Sequence, residues 1–162
     1  MASGDTLATL HPFQNEPPSS NYAVSDIRNG HPILAFDDTT SWAAIFTGIL
    51  PRNYAGGGIT VYVHASAVAT SGTMGWLVAI ERIDDSSLDI DADSFAGNQT
   101  ITAVTVPGTS GQTLVLNVAI TSGANMDSLA AGEQFRLKVA RDVANDTAVG
   151  NVQLTMVEIV ET

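Results

Sequence analysis

Ile59-Thr60-Val61-Tyr62-Val63-His64-Ala65 is the stretch that decides the fold class. Its odd positions are all apolar, while its even positions carry a hydroxyl, a phenol and an imidazole. A period of two marks a strand with one face on a core and the other toward water. A second such run, Trp76-Leu77-Val78-Ala79-Ile80-Glu81-Arg82-Ile83, is apolar at most positions, with Trp76, Val78 and Ile80 as its core set. Working outward, Leu114, Leu116, Val118 and Ile120 alternate with their neighbours, as do Phe135, Leu137 and Val139 with Arg136 and Lys138. Val152, Leu154 and Met156 begin a last strand. Shorter strands rich in β-branched or aromatic residues are expected at Thr6 to Leu10, Ile33 to Phe36, Trp42 to Thr47 and Thr100 to Val106.

Turn chemistry separates these runs. Asn29-Gly30, Asp37-Asp38, Gly56-Gly57-Gly58, Ser71-Gly72, Pro107-Gly108 and Ser110-Gly111 each break the alternation. Eight or nine strands punctuated this often predict an all-β, antiparallel β-sandwich, and the long central connections favour a jelly-roll-like topology. One short helical turn is expected from Asn125 to Gly132, and a second turn at Pro51-Arg52-Asn53-Tyr54. The whole chain, 1–162, reads as one domain. Residues 11–22, with three prolines and no periodicity, read as an extended arm or a surface loop.

Composition narrows the function classes. The formal net charge is −11, and Lys138 is the sole lysine. Such a surface repels phosphates and anionic lipid, so neither nucleic acid nor membrane is an expected partner. Without cysteine, disulfides, thiolate nucleophiles and cysteine-based metal sites are excluded. No apolar run approaches the roughly 18 residues of a spanning helix. The opening MASGDTLATL has no basic stretch and no long apolar run, so no secretory signal is expected there.

Motifs for chemistry are sparse. Asp89, Asp91 and Asp93 have the D-x-D-x-D spacing of a calcium loop, since hard cations want several carboxylate oxygens. The glycine and glutamate that complete such a loop are missing: Ser94 and Thr100 stand there. A solvated acidic loop is the plainer reading, and no cofactor is expected. His11, His31 and His64 form no zinc-binding spacing. His64 should point outward from its strand. No nucleophile elbow is present, and Gly56-Gly57-Gly58 precedes a strand instead of opening a helix, so it is not a phosphate loop. Positive φ and a close backbone approach explain those glycines better. Trp42, Tyr54, Tyr62 and Trp76 could form a carbohydrate platform, though core or interface placement is the commoner use of such rings. An enzyme is not expected.

Several stretches carry a resemblance. Asn15-Glu16-Pro17-Pro18, Arg28-Asn29-Gly30-His31-Pro32, Phe36-Asp37-Asp38, the run from Leu50 to Ile59, and the run from Ala140 to Ala148 resemble small tailed-phage virion proteins of the capsid cement (decoration) type. The resemblance implies a virion protein on the capsid exterior, a homotrimer that binds the major capsid protein and bridges neighbouring capsomers. The contact regions would be the arm, through Phe13, Glu16, Pro17 and Pro18, and the following loop, through Arg52 and Tyr54, residue types favoured in interface hot spots. The alternative is a receptor- or glycan-binding head of a phage tail or tail fibre, although no heptad-bearing shaft is present in the chain.

Overall fold

Every alternating run of the sequence becomes a strand, and the two faces of each strand separate core from solvent as the periodicity demands. The computed structural model describes residues 3–86 and 89–162. Ten strands form among them: β1 (Thr6–Leu10), β2 (Val24–Arg28), β3 (His31–Phe36), β4 (Ala43–Ile49), β5 (Gly58–Ala67), β6 (Thr73–Ile83), β7 (Gln99–Thr105), β8 (Thr113–Thr121), β9 (Gln134–Arg141) and β10 (Val152–Glu161). Four make one sheet, in the order β4-β9-β6-β7. The other six make the second, in the order β2-β3-β10-β5-β8, with β1 also paired to β10. All pairings between these strands are antiparallel. This is the expected jelly-roll-like β-sandwich.

The core lies between the sheets. Val61, Val63 and Ala65 of β5 are wholly buried, as are Trp76, Val78 and Ile80 of β6. Trp76 meets Phe36 edge-to-face with ring centroids 4.9 Å apart, an arrangement that aromatic quadrupoles favour. Gly58 has φ 132°, and a Cβ there would stand 2.9 Å from the Ile120 carbonyl oxygen. The triple glycine therefore allows β5 to enter the sheet close against β8, as its position before a strand suggested.

Arg141 is the largest departure from an apolar core. Its guanidinium is fully buried. Nε and Nη2 donate to the Asp146 carboxylate at 2.6 and 2.8 Å, and Nη1 donates to the Gly150 carbonyl at 2.7 Å. Nη2 also donates to the carbonyl of Ala148. One buried arginine thus folds the whole β9–β10 connection around itself, satisfying carbonyls that no strand partner reaches.

Three expectations need adjustment. Strand β2 was not foreseen, because nearly all its residues are exposed and supply no alternation; the Asn29-Gly30 turn, with φ 48° and 77°, pairs it to β3 as a tight hairpin. The helical turn expected to run from Asn125 to Gly132 is a single 3-10 turn, Ala124–Met126. Asp127 and Ser128 adopt φ of 53° and 56°, which ends it, and Asp127 Oδ2 accepts the Arg82 amide at 2.9 Å. A second 3-10 turn, Pro12–Gln14, follows β1.

Residues 11–22 do not extend away from the domain. The Glu16 amide donates to the Ile45 carbonyl at 2.7 Å, and Asn15 Oδ1 accepts the Ile45 amide at 3.0 Å. Further on, the Ala43 amide donates to the Asn21 carbonyl at 2.8 Å. The segment covers the edge of β4 and blunts a free sheet edge.

Candidate functional site: a groove on the six-stranded sheet

The site begins with how β10 is shared. Along one edge, Val152–Leu154 pair with β3, and Val157–Val160 pair with β1. Between them the register against β5 shifts, at Leu154/Met156. Thr155 and Met156 therefore lie where one neighbour has ended and the other has not begun. The chain leaves β1 at His11 and turns away through Pro12, whose fixed φ suits the first position of a helical turn. A notch remains on the outer face of the sheet. Bulges of this kind often lie beside functional sites.

The notch opens into a groove of about 680 Å³. Its floor is the outward set of the central strands: Ile33 of β3, His64 and Ser66 of β5, Thr155 and Met156 of β10. One wall is His11 and Pro12. The other walls are the β2–β3 hairpin, with Arg28, Asn29 and His31, and the β7–β8 connection, with Ser110 and Gly111. All three histidines of the chain line this groove. No aspartate or glutamate is among its lining residues.

Neutral partners fix the polar groups. Arg28 Nη1 donates to Gln153 Oε1 at 2.7 Å, and Nη2 donates to Ser110 Oγ at 2.9 Å. Gln153 Oε1 also accepts from Ser66 Oγ at 3.1 Å. His31 Nδ1 lies 2.9 Å from the Asn29 carbonyl oxygen. A carbonyl only accepts, so Nδ1 carries the hydrogen and Nε2 is the nitrogen left for another partner. The Gly111 amide ties the β7–β8 connection to the Ala67 carbonyl at 2.9 Å. At φ 83°, Gly111 also makes room for Arg28: a Cβ there would lie 2.6 Å from the guanidinium carbon.

The residues singled out for capsid contact are not brought together. Phe13 is 76% exposed on the 3-10 turn, and Glu16 accepts from Thr47 Oγ1 at 2.8 Å beside β4. Pro17 is exposed and Pro18 half-buried along the same edge. Arg52 is exposed in the turn after β4. Tyr54 is a core residue, 7% exposed, with its hydroxyl accepting the Gly58 amide at 2.8 Å. Burial pushes the Tyr54 phenol above its ordinary range, and the Glu161 charge adds to this, against the Gly58 hydrogen bond. Arg52 and Tyr54 therefore cannot act as a paired surface contact.

Among the described residues, no three His, Cys, Asp or Glu side chains gather as metal ligands. Asp89 Oδ1 accepts the Asp91 amide at 3.0 Å, and Asp93 Oδ1 accepts the Ser94 amide at 2.8 Å. These are backbone caps of a loop. Residues 87 and 88, within this acidic stretch, lie outside the described residues. The four rings considered for a carbohydrate platform do not come together: Trp76 and Tyr54 are buried, Trp42 packs against the core, and Tyr62 alone is half-buried on the outward side of β5.

The architecture recurs among solved structures. A family 35 carbohydrate-binding module from an environmental isolate is similar over 94% of this chain and 92% of its own, at 11% identity and a TM-score of 0.57. Another family 35 module, solved in complex with a glucuronic acid containing disaccharide, is similar over 95% of this chain and 94% of its own, at 11% identity and a TM-score of 0.58. The CBM22-1 xylan-binding domain from Paenibacillus barcinonensis is similar over 100% of this chain and 99% of its own, at 14% identity and a TM-score of 0.54. No family model and no curated protein sequence matches the chain. The shared feature is the fold.

These neighbours correct the expected function. Solved structures that share this sandwich along nearly its full length include carbohydrate-binding modules, and the alternative that named a glycan-binding head is the better supported of the two expectations. The capsid-decoration role does not stand.

Proposed function

We propose that the chain is a glycan-binding module and that the groove on the six-stranded sheet is its binding site. The observation that carries the reading is the groove itself. It is an open, pre-formed cleft whose rim offers imidazoles, a guanidinium and hydroxyls around an apolar floor of Ile33 and Met156. Sugars present hydroxyls at their edges and C–H groups on their faces, so this mixture of donors and apolar surface is complementary to them. Pre-formed sites of this kind avoid much of the ordering cost of binding. The resemblance in fold to carbohydrate-binding modules supports the same reading.

Glycoside hydrolysis ordinarily requires two carboxyl groups flanking the scissile bond, and the groove lining has none.

Affinity electrophoresis against a panel of soluble plant, bacterial and animal polysaccharides, followed by calorimetry on each hit, tests the proposal. The expected result is retardation by at least one polysaccharide that a His64→Ala, Ser66→Ala double variant loses while remaining folded. Migration unchanged across the panel would contradict it.

A further inference from the structure

The groove differs from the rest of the molecule in the sign of its charge. The chain carries 17 acidic side chains against six lysines and arginines. Arg82, Arg136 and Arg141 are each held by a carboxylate, at 3.1 Å or closer. Arg28 has no carboxylate among its hydrogen-bond partners: it rests on the neutral oxygens of Gln153 and Ser110. His11, His31 and His64 line the same groove. Every ionisable group that lines the groove is thus cationic or becomes cationic on protonation.

We propose that this groove selects glycans bearing an anionic substituent, a carboxylate or a sulfate, with Arg28 as the principal anion contact and the three histidines as further hydrogen-bond donors. The inference rests on the glycan-binding reading above and specifies its ligand class. A planar guanidinium presents paired donors that match carboxylate and sulfate oxygens. Gln153 and Ser110 hold that guanidinium in place without neutralising it, which is how a cation is kept available for a ligand. An imidazole N–H offers a further donor to the oxygens of such a group.

The surroundings allow this. Two carboxylates share the outer face of the sheet: Asp26 on β2, paired opposite Ile33, and Glu158 on β10, paired opposite Tyr62. Asp26 Oδ1 accepts the Ile27 amide at 2.7 Å, and Glu158 Oε1 accepts from Thr6 Oγ1 at 2.6 Å. Both are engaged outside the groove lining. The facing residues of β3, β5 and β8 carry no carboxylate, and neither do the Pro12–Gln14 turn and residues 106–112.

Calorimetry with three matched ligands tests the proposal: an acidic xylo-oligosaccharide bearing glucuronic acid, its carboxyl-reduced neutral counterpart, and a sulfated oligosaccharide. We expect the acidic ligand, the sulfated ligand or both to bind at least about tenfold more tightly than the neutral one, the worth of one charge-assisted hydrogen bond. Arg28→Gln should bring the acidic and neutral affinities together. A His11→Gln, His31→Gln, His64→Gln variant should lose part of the preference for the anionic ligands. The relative affinity of the carboxylate and sulfate ligands identifies which anion the site prefers. Equal binding of neutral and anionic ligands, indifferent to Arg28, would overturn this inference and leave glycan binding intact. No binding of any of the three, or of any polysaccharide in the wider panel, would overturn both.

Discussion

The two outer faces of the sandwich treat their cations in opposite ways. On the four-stranded sheet, Arg136 Nη1 meets Glu81 Oε2 at 2.8 Å, and Arg136 and Lys138 both lie over the Phe95 ring, 5.4 and 5.1 Å from its centroid. A hollow of about 490 Å³ on that face is lined by Glu16 and Glu81 as well as Arg136. On the six-stranded sheet, Arg28 sits on uncharged oxygens, and histidines replace carboxylates around it. The first arrangement uses charge to hold the protein's own surface together. The second leaves charge open toward a cleft. A cation with a carboxylate partner contributes to the fold, whereas one held in place by amides and hydroxyls can receive an anion from outside.

The comparison can be broken most severely at Arg141, the buried extreme of the paired class. Arg141→Met should cost about 3–5 kcal/mol, because it strands Asp146 and several buried carbonyls. Urea denaturation measures this, and a cost as small as a surface substitution would show that carboxylate pairing is not what holds the β9–β10 connection. Gly111→Ala comes next. A side chain at φ 83° costs about 1–2 kcal/mol, and its Cβ must displace the Arg28 guanidinium, so binding should fall with stability. Arg28→Gln sharpens the contrast from the other side. It should change stability by only about 1 kcal/mol or less, the scale of a net hydrogen bond, while abolishing discrimination between acidic and neutral glycans.

The smallest effect concerns Glu81. Burial holds its carboxyl above the ordinary range, opposed by the Arg136 charge and reinforced by Asp93. The fold therefore favours protonated Glu81. That contribution is fully present below the usual glutamate range, about pH 4, and is lost as pH rises through the raised value. Glu81→Gln is neutral throughout, so its melting temperature relative to the parent should rise between pH 4 and pH 8. A difference that is flat with pH would place Glu81 on the solvated side of the comparison.

The sequence showed the layers well and the groove poorly, for physical reasons. Alternation in β5, β6, β8 and β9 reports burial directly, because one face of each strand meets the core; the same logic placed His64 outward. Strand β2 escaped notice because an exposed edge strand has no face to mark. The groove depends on β10 being shared between β3 and β1, with a register shift where they meet. That is a property of long-range pairing, so three histidines at positions 11, 31 and 64 gave no sign of convergence. Tyr54 was misread as a contact residue because a tyrosine in a polar turn looks exposed until its hydroxyl is seen accepting the Gly58 amide. Arg141 had no sequence signal of burial at all: it follows Ala140 at a strand end, where arginine is ordinarily solvated.

Glycan binding is proposed for the outer groove of the six-stranded sheet. Titrating the isotope-labelled protein with an oligosaccharide identified by the electrophoresis panel, and following backbone amide shifts by NMR, tests this most directly. The largest shifts should fall on residues 28–33, 64–66, 110–113 and 153–156, which come together around the groove. Shifts concentrated instead around Glu16, Glu81 and Arg136, or at the loops on either end of the sandwich, would contradict it.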